Sequence, residues 1–298
     1  MLSILIPTYN YNVLPLVEEI WNQSNHLEIP FEIISIDDGG SLYENENQKI
    51  NSLKNCHFSK NKQNIGRASN INLLVAKSQF EYCLILEADA FPEHKNFIQN
   101  YLNAIKTNPK IAFGGVIYPK KKPNKDCLLR WYYGHKRESK NLEFRIKNPY
   151  KIVFTWNLLI QKRVFSQFPF DSAIKDYGFE DLVFIKTLEK NKIKIDQIEN
   201  KCIHQNEENS QQYINKYHYS LKNLDKLTNS GILNYEDTAL SRWYLKSKKV
   251  KLDKFLVYLF RKTQKLILKN LKSKYCSLLL FDFYKLGYFC TLKNNKNV

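Results

Sequence analysis

Short apolar runs rich in β-branched residues alternate with helix-like segments along most of this chain, and that alternation restricts the fold more than any other feature. LSILIPTY leads into an amphipathic stretch over residues 12–24; FEIISIDDGG follows, then a polar segment and the short CHFSKN. GRASNINLLVAKS has helical spacing and YCLILEAD reads as a buried strand. PEHKNFIQNYLNAIKTN reads as a helix with Pro92 in its first turn and Phe91 as its cap, and IAFGGVIY as one further strand. This βαβαβ rhythm predicts a largely parallel sheet with helices on both faces. Ligands of such sheets bind at the carboxyl ends of the strands, where the acids of IDDGG and LEADA both lie.

Residues 120–151 are basic, aromatic and Pro-containing, and read as an insertion covering one edge of the site. Order returns with IVFTWNLLIQKRVF, a strand leading into a helix. YGFEDLVFIKTLEKN is a helix opened by acids, KIKIDQIEN a further strand, and residues 209–230 another helix. No internal repeat or low-complexity tract interrupts the pattern. Near Arg242 the composition changes. Leu252, Phe255, Leu256, Leu259, Phe260, Ile267 and Leu271 follow helical spacing with Lys and Arg between them. Two readings fit: a helical hairpin whose apolar face packs on the body, or an interfacial helix on anionic lipid.

Charge divides the same way. Residues 242–298 hold 15 Lys and Arg against Asp253 and Asp282, a surplus of 13, while the first 241 residues hold 31 against 27. A protein organised throughout for nucleic acid would carry its basic surface on the folded recognition face, so nucleic acid is not an expected partner. At 298 residues and 43% hydrophobic, the chain can bury a real core. Its six cysteines are scattered with no close pair, which suggests reduced thiols of a cytosolic protein, with no zinc knuckle or disulfide framework. MLSILIPTYN has no basic leader and reads as a first strand, and no run is apolar for long enough to span a bilayer.

Glu87 and Asp89 follow the apolar Leu84, Ile85 and Leu86. Side chains two apart on a strand share a face, so both acids are expected side by side at a strand's exit. Like charges that close repel unless a positive charge lies between them. They are either solvated loop carboxylates or hard oxygen ligands for Mg2+ or Mn2+ shared with substrate phosphates. Asp37 and Asp38 fit an Asx-turn before two glycines, or a carboxylate accepting from a base N–H or a ribose, and one turn can do both. Glu180 and Asp181 complement the dipole of the helix they open. An acid there, partly desolvated by Tyr177, Phe179 and Phe184, could also act as general base for a substrate hydroxyl. His204 is a core histidine unless the fold brings it beside Asp89, where imidazole could complete a Mn2+ shell.

Taken in order, SILIPTYN, IDDGG, NIGRASN, LILEADAFP, FGGVIY, TWNLLIQKRVF and YGFED followed by IH resemble the family 2 glycosyltransferases, over residues 1 to about 225. The resemblance implies an α/β GT-A fold, a Rossmann-like, mostly parallel sheet sandwiched by helices, here with a basic helical C-terminal extension. It implies inverting transfer of a sugar from a nucleotide diphosphate, with Mn2+ or Mg2+ as cofactor and UDP as the default nucleotide. By that likeness Pro7, Thr8, Tyr9, Asp37 or Asp38, Gly66 and Arg67 line the nucleotide, and Glu87 meets the ribose or a metal-bound water. Asp89 holds the metal, His204 ligates it or touches the diphosphate, and Asp181 is the base, with Glu180 beside it in the catalytic pair.

Two departures stand out. The family motif usually begins with Asp, one methylene shorter than Glu87; and Ile71 precedes Asn72 where an Arg-Asn pair is usual, which removes one expected nucleotide contact. CLLRW lacks the Gln of the processive motif and precedes the acidic helix, so a processive polymer synthase is excluded. IPTYNYNVLP has no glycine to cradle a phosphate, which argues against nucleotidyl transfer. Trp131, Tyr132, Tyr133 and Arg137 suit either a clamp on the acceptor or a plain surface lid.

These readings divide the chain into a transferase domain over 1–235, with a nucleotide half to 118 and an acceptor half from 119, and an extension over 236–298. The acceptor is expected to be a saccharide or lipid-linked saccharide of a cell-surface polysaccharide. The location is expected to be cytoplasmic, with peripheral contact on the inner face of the membrane through 242–298. The rival reading is a basic membrane- or nucleic-acid-binding protein on a degenerate transferase fold.

Overall fold

The computed structural model describes residues 1–205 and 208–294. They form two compact units. The first comprises Met1–Pro119, Arg137–Lys175 and the chain from Glu180; the second comprises Lys120–Lys136, Asp176–Phe179 and the C-terminal helices.

The first unit is built on ten strands: β1 (Leu2–Thr8), β2 (Phe31–Asp37), β3 (Cys56–Lys60), β4 (Tyr82–Leu86), β5 (Ala90–Pro92), β6 (Ile111–Phe113), β7 (Val116–Ile117), β8 (Asn157–Gln161), β9 (Asp196–Gln197) and β10 (Cys202–His204). The main sheet has the order β3-β2-β1-β4-β8-β6-β9, and β8 alone runs against its neighbours. A small sheet, β5-β10-β7, lies apart from it in the pairing. Alternate residues of the parallel strands enter two cores. Ile4, Ile6, Ile33, Leu84 and Leu86 pack with the helices Leu14–Asn25 and Phe97–Ile105. Leu5, Ile34, Ile36, Cys83 and Ile85 pack with Arg67–Lys77 and Glu180–Lys190. Because both faces are covered, these strands read as unbroken apolar runs. The expected α/β sandwich is the one found.

Two elements differ from expectation. Pro92 does not open a helix: it ends β5, opposite Cys202, and the next helix starts at Phe97 with Asn96 as its cap. The position is an edge strand, where a missing N–H costs no interior ladder bond. IAFGGVIY is not one strand. It splits into β6 and β7, which belong to different sheets, at Gly114 and Gly115. Gly115 has φ +95°, and a Cβ there would lie 3.0–3.3 Å from the Arg145 guanidinium.

The second unit is helical: Leu128–Tyr133, Ser210–Asn229, Ala239–Lys249, Asp253–Leu271 and Leu278–Asn294. The C-terminal extension therefore has three helices where a hairpin was expected. Their core joins Leu129, Tyr213 and Ile214 to Phe260, Ile267, Leu271, Phe281 and Tyr284. One apolar side of Asp253–Leu271, that of Val257, Phe260, Ile267 and Leu271, is thus packed. The units also divide the chain differently from a boundary at 235, since Ser210–Asn229 lies with the extension. No helix among the described residues is long and apolar enough to cross a membrane.

Candidate active site

β1 and β4 are neighbours, although the chain leaves β1 for β2 and β3 on one side and returns to β4 on the other. The carboxyl ends of β1 and β4 therefore flank the point where the winding reverses, the usual ligand crevice of such sheets. Three carboxylates meet one guanidinium there.

Beyond Leu86 the chain turns: the Glu87 N–H donates to the Trp156 carbonyl (3.3 Å) and the Ala90 N–H to the Glu87 carbonyl (3.0 Å). Strand alternation stops, and Glu87 and Asp89 take different partners. Glu87 Oε1 accepts from Nε of Arg67 (2.9 Å) and from Nη2. Arg67 Nη1 donates to Asp181 Oδ1 at 2.8 Å and to Glu180 Oε1 at 3.4 Å, and Nη2 reaches Thr155 Oγ1. The Thr155 hydroxyl donates in turn to Asp181 Oδ1 (2.7 Å). Both bonds to Asp181 fall on Oδ1, leaving Oδ2 without a hydrogen bond among the described residues.

The electrostatics follow from burial. Arg67 is disfavoured as a cation by desolvation, but Asp181, Glu87 and Glu180 more than offset this and raise its pKa well above the usual value. Burial pushes Glu87 up to about 7, against the pull of Arg67. Glu180 is buried at the start of its helix, beside Asp181. The extra methylene of Glu87 now has a physical account, since the longer arm lets one oxygen engage two nitrogens of Arg67.

Asp89 turns elsewhere. Its Oδ2 lies 3.3 Å from Nε2 of His204, and its carbonyl accepts from the Gln205 N–H (2.9 Å). The antiparallel pairing of β10 with β5 sets His204 opposite Ala90, which brings the imidazole to this carboxylate. The ring is buried between Trp156 and Tyr118, with centroids 4.7 and 5.1 Å away. Two ligands of one ion at roughly 2.1 Å stand about 3 Å apart when they meet it at right angles. The spacing and the oxygen–nitrogen pair therefore suit a shared divalent cation. No group of three or more His, Cys, Asp or Glu placed to hold a metal ion occurs among the described residues, so the remaining ligands would come from substrate and water.

The other expected nucleotide contacts surround the ends of β1 and β2. Pro7 and Thr8 end β1, both buried, and Tyr9 is exposed. Asp37 and Asp38 are nearly fully buried and occupied by backbone. Asp37 accepts from the N–H groups of Gly40 and Asn10, the turn reading of this pair. Asp38 accepts from the N–H groups of Ile65 and Gly66, both at 2.9 Å, and from the Asn61 amide. Gly66 caps the helix Arg67–Lys77 with φ +86°, a backbone that favours glycine and delivers Arg67 to the cluster. Trp131 and Tyr132 lie in the second unit, Lys122 Nζ within 6.0 Å of both ring centroids; Arg137 lies in the turn Gly134–Glu138.

Residues 3–168, more than half of the chain, match the family described as glycosyl transferase family 2. The chain belongs to that family. It is a glycosyltransferase of GT-A fold. Among solved structures it resembles the mannosyltransferase PcManGT of Pyrobaculum calidifontis, in complex with GDP-Man and Mn2+, at 14% identity and TM-score 0.57, covering 99% of this chain and 86% of that one. It also resembles S. aureus TarS at 14% identity and TM-score 0.51, covering 99% of this chain and 55% of that one. At such identity the likeness speaks for the fold. A comparison with curated proteins finds no match.

Sequence reasoning on this family 2 transferase overlooked Thr155, Asn10 and Tyr11. Asn10, at φ +51°, accepts from the N–H groups of Ser41 (2.7 Å) and Leu42 (3.0 Å), tying the two loops together. Burial, with Asp89 and Tyr43 close by, raises the Tyr11 hydroxyl above its ordinary pKa. Thr155 lies just before β8, and neither Asn10 nor Tyr11 has a motif of its own. The only available signal was their place directly after β1, the strand whose end flanks the crevice.

Proposed function

We propose that this glycosyltransferase moves a sugar from a nucleotide diphosphate, UDP by default, to a saccharide or lipid-linked saccharide by single inverting displacement, with Asp181 as base. One observation carries the reading: Asp181 is fixed through Oδ1 by Arg67 and Thr155, while Oδ2 is left for a proton. A carboxylate oriented in this way can accept from an acceptor hydroxyl as its oxygen attacks the anomeric carbon. Attack opposite the departing diphosphate inverts that carbon. Asp89 and His204 would hold a divalent cation, Mn2+ or Mg2+, whose charge offsets that of the diphosphate.

Pro7, Thr8 and Tyr9 would line the nucleotide, with Asp37 and Asp38 holding the turn and the Gly66 loop around it. Glu180 and Glu87 keep Arg67 in place beside the base, and Glu87 would also meet the ribose or a metal-bound water. That PcManGT is described with GDP-Man and Mn2+ supports a nucleotide-sugar donor and a divalent metal. Trp131, Tyr132 and Arg137 are each proposed as contacts of the acceptor. The wider reading is polysaccharide biosynthesis in the cytoplasm, with peripheral contact on an anionic membrane through 242–298.

A thermal-shift screen of nucleotide sugars, with and without Mn2+, tests the donor and the metal. One nucleotide should stabilise the protein in a metal-dependent way. Asp181→Asn should keep that shift and lose transfer; equal turnover by this variant would remove Asp181 as base.

A further inference from the structure

The helix Asp253–Leu271 is apolar on two sides, and packing accounts for only one. Val257, Phe260, Ile267 and Leu271 are buried on the inner side. Leu252, Phe255, Leu259 and Leu266 form a second stripe, displaced by roughly a third of a turn at 3.6 residues per turn. Leu266 is 71% exposed, and Phe255 and Leu252 are more than half exposed. Beside this stripe run exposed Lys262, Lys265 and Lys269, with Tyr258 among them and Lys262 Nζ 5.8 Å from its ring centroid. The one acid of this helix, Asp253, is buried. Beyond its end Tyr275 and Leu279 are exposed as well, Leu279 at 77%.

We infer that this outer stripe is the surface that seats the protein on an anionic bilayer. The inference deepens the peripheral-contact part of the proposed function and is independent of Asp181 being the base. Apolar side chains in a line, edged by lysines and a tyrosine, match a layer that is apolar below and negatively charged above. Lysine stems lie along the apolar zone while their ammonium groups stay among the headgroups. The surplus of 13 positive charges over residues 242–298 supplies the attraction. A protein partner of the same shape would need matching acids. A second copy of this face would bring lysine against lysine.

Co-sedimentation of the full chain with vesicles tests this. Vesicles of phosphatidylcholine with phosphatidylglycerol should bind it, and added salt should weaken the binding; phosphatidylcholine alone should bind it poorly. Phe255→Ser with Leu266→Ser should reduce binding at least tenfold, and Lys262→Gln with Lys265→Gln and Lys269→Gln likewise. The residues are exposed, so circular dichroism and melting should not change. Wild-type-like binding by the well-folded apolar variant, equal binding to both vesicles, or no binding at all would overturn the inference. So would a dimer in solution that the apolar variant dissolves. A nucleotide-sugar thermal shift kept in the variants separates loss of this surface from failure of the donor reading.

Discussion

A guanidinium shared by three carboxylates leaves the cluster short of positive charge, and protonation of Glu87 would reduce that deficit. Burial raises it from 4.5 to about 7. The folded chain thus holds this proton more tightly than the unfolded chain, so the group's contribution to stability is complete below about pH 4.5 and lost as pH rises through 7. Glu87→Gln imitates the protonated acid. Its melting temperature should match that of wild type near pH 4.5 and exceed it at pH 8, by stability on the order of 3 kcal/mol. Parallel curves across that range would show that Glu87 does not titrate between them. Thr155→Val tests the other side of the cluster. It removes a hydrogen bond to a charged oxygen at nearly constant shape, so kcat should fall about tenfold or more while the nucleotide thermal shift stays. Little of this was legible, because Arg67 and Asp181 are 114 positions apart. A motif can name the acids, but nothing in a linear pattern says which of them shares a cation.

Elements were more legible where their burial was simple. β1, β2 and β4 are covered on both faces, so their apolar runs carry the strand signal without interference. The sequence misled where one residue suits two settings. Pro92 fits the first turn of a helix and equally the end of an edge strand, and only the partner β10, more than a hundred positions later, decides. In IAFGGVIY the apolar pattern continues through two glycines that allow the chain to change sheets. Gly115→Ala examines that joint. A Cβ at φ +95° is strained, and the buried Arg145 guanidinium, bonded to the carbonyls of Phe113 and Ile198, has little room to retreat. A loss of about 1–3 kcal/mol is expected in chemical denaturation. An unchanged midpoint would mean that the Arg145 pocket yields.

At the scale of the whole molecule, the change in composition near Arg242 looks like a domain boundary, yet the packing ignores it. Charge and composition record which surface meets solvent; they do not record which helix an apolar face packs against. Helix Leu278–Asn294 returns to Ser210–Asn229 and places Lys293 Nζ 2.8 Å from Asp225 Oδ1, both side chains almost completely buried. The same ammonium donates to Thr228 (3.0 Å), Asn229 (2.8 Å) and Tyr235 (2.8 Å). Ending the chain at residue 235 would strip Tyr213 and Ile214 of the packing of Phe260, Ile267, Leu271, Phe281 and Tyr284, and would take the Lys293 ammonium from the buried Asp225 carboxylate. Each large apolar side chain so exposed forfeits roughly 1.5–3 kcal/mol. A 1–235 fragment should therefore expose apolar surface, bind a hydrophobic dye and be cut by protease within 208–229. Lys293→Met makes the same point in the intact chain. Removing one partner of a buried pair typically costs about 3–5 kcal/mol, so its melting temperature should fall by several degrees, and Asp225→Leu in addition should recover part of the loss. A 1–235 fragment that melts cooperatively and resists protease would instead place the boundary where the composition changes.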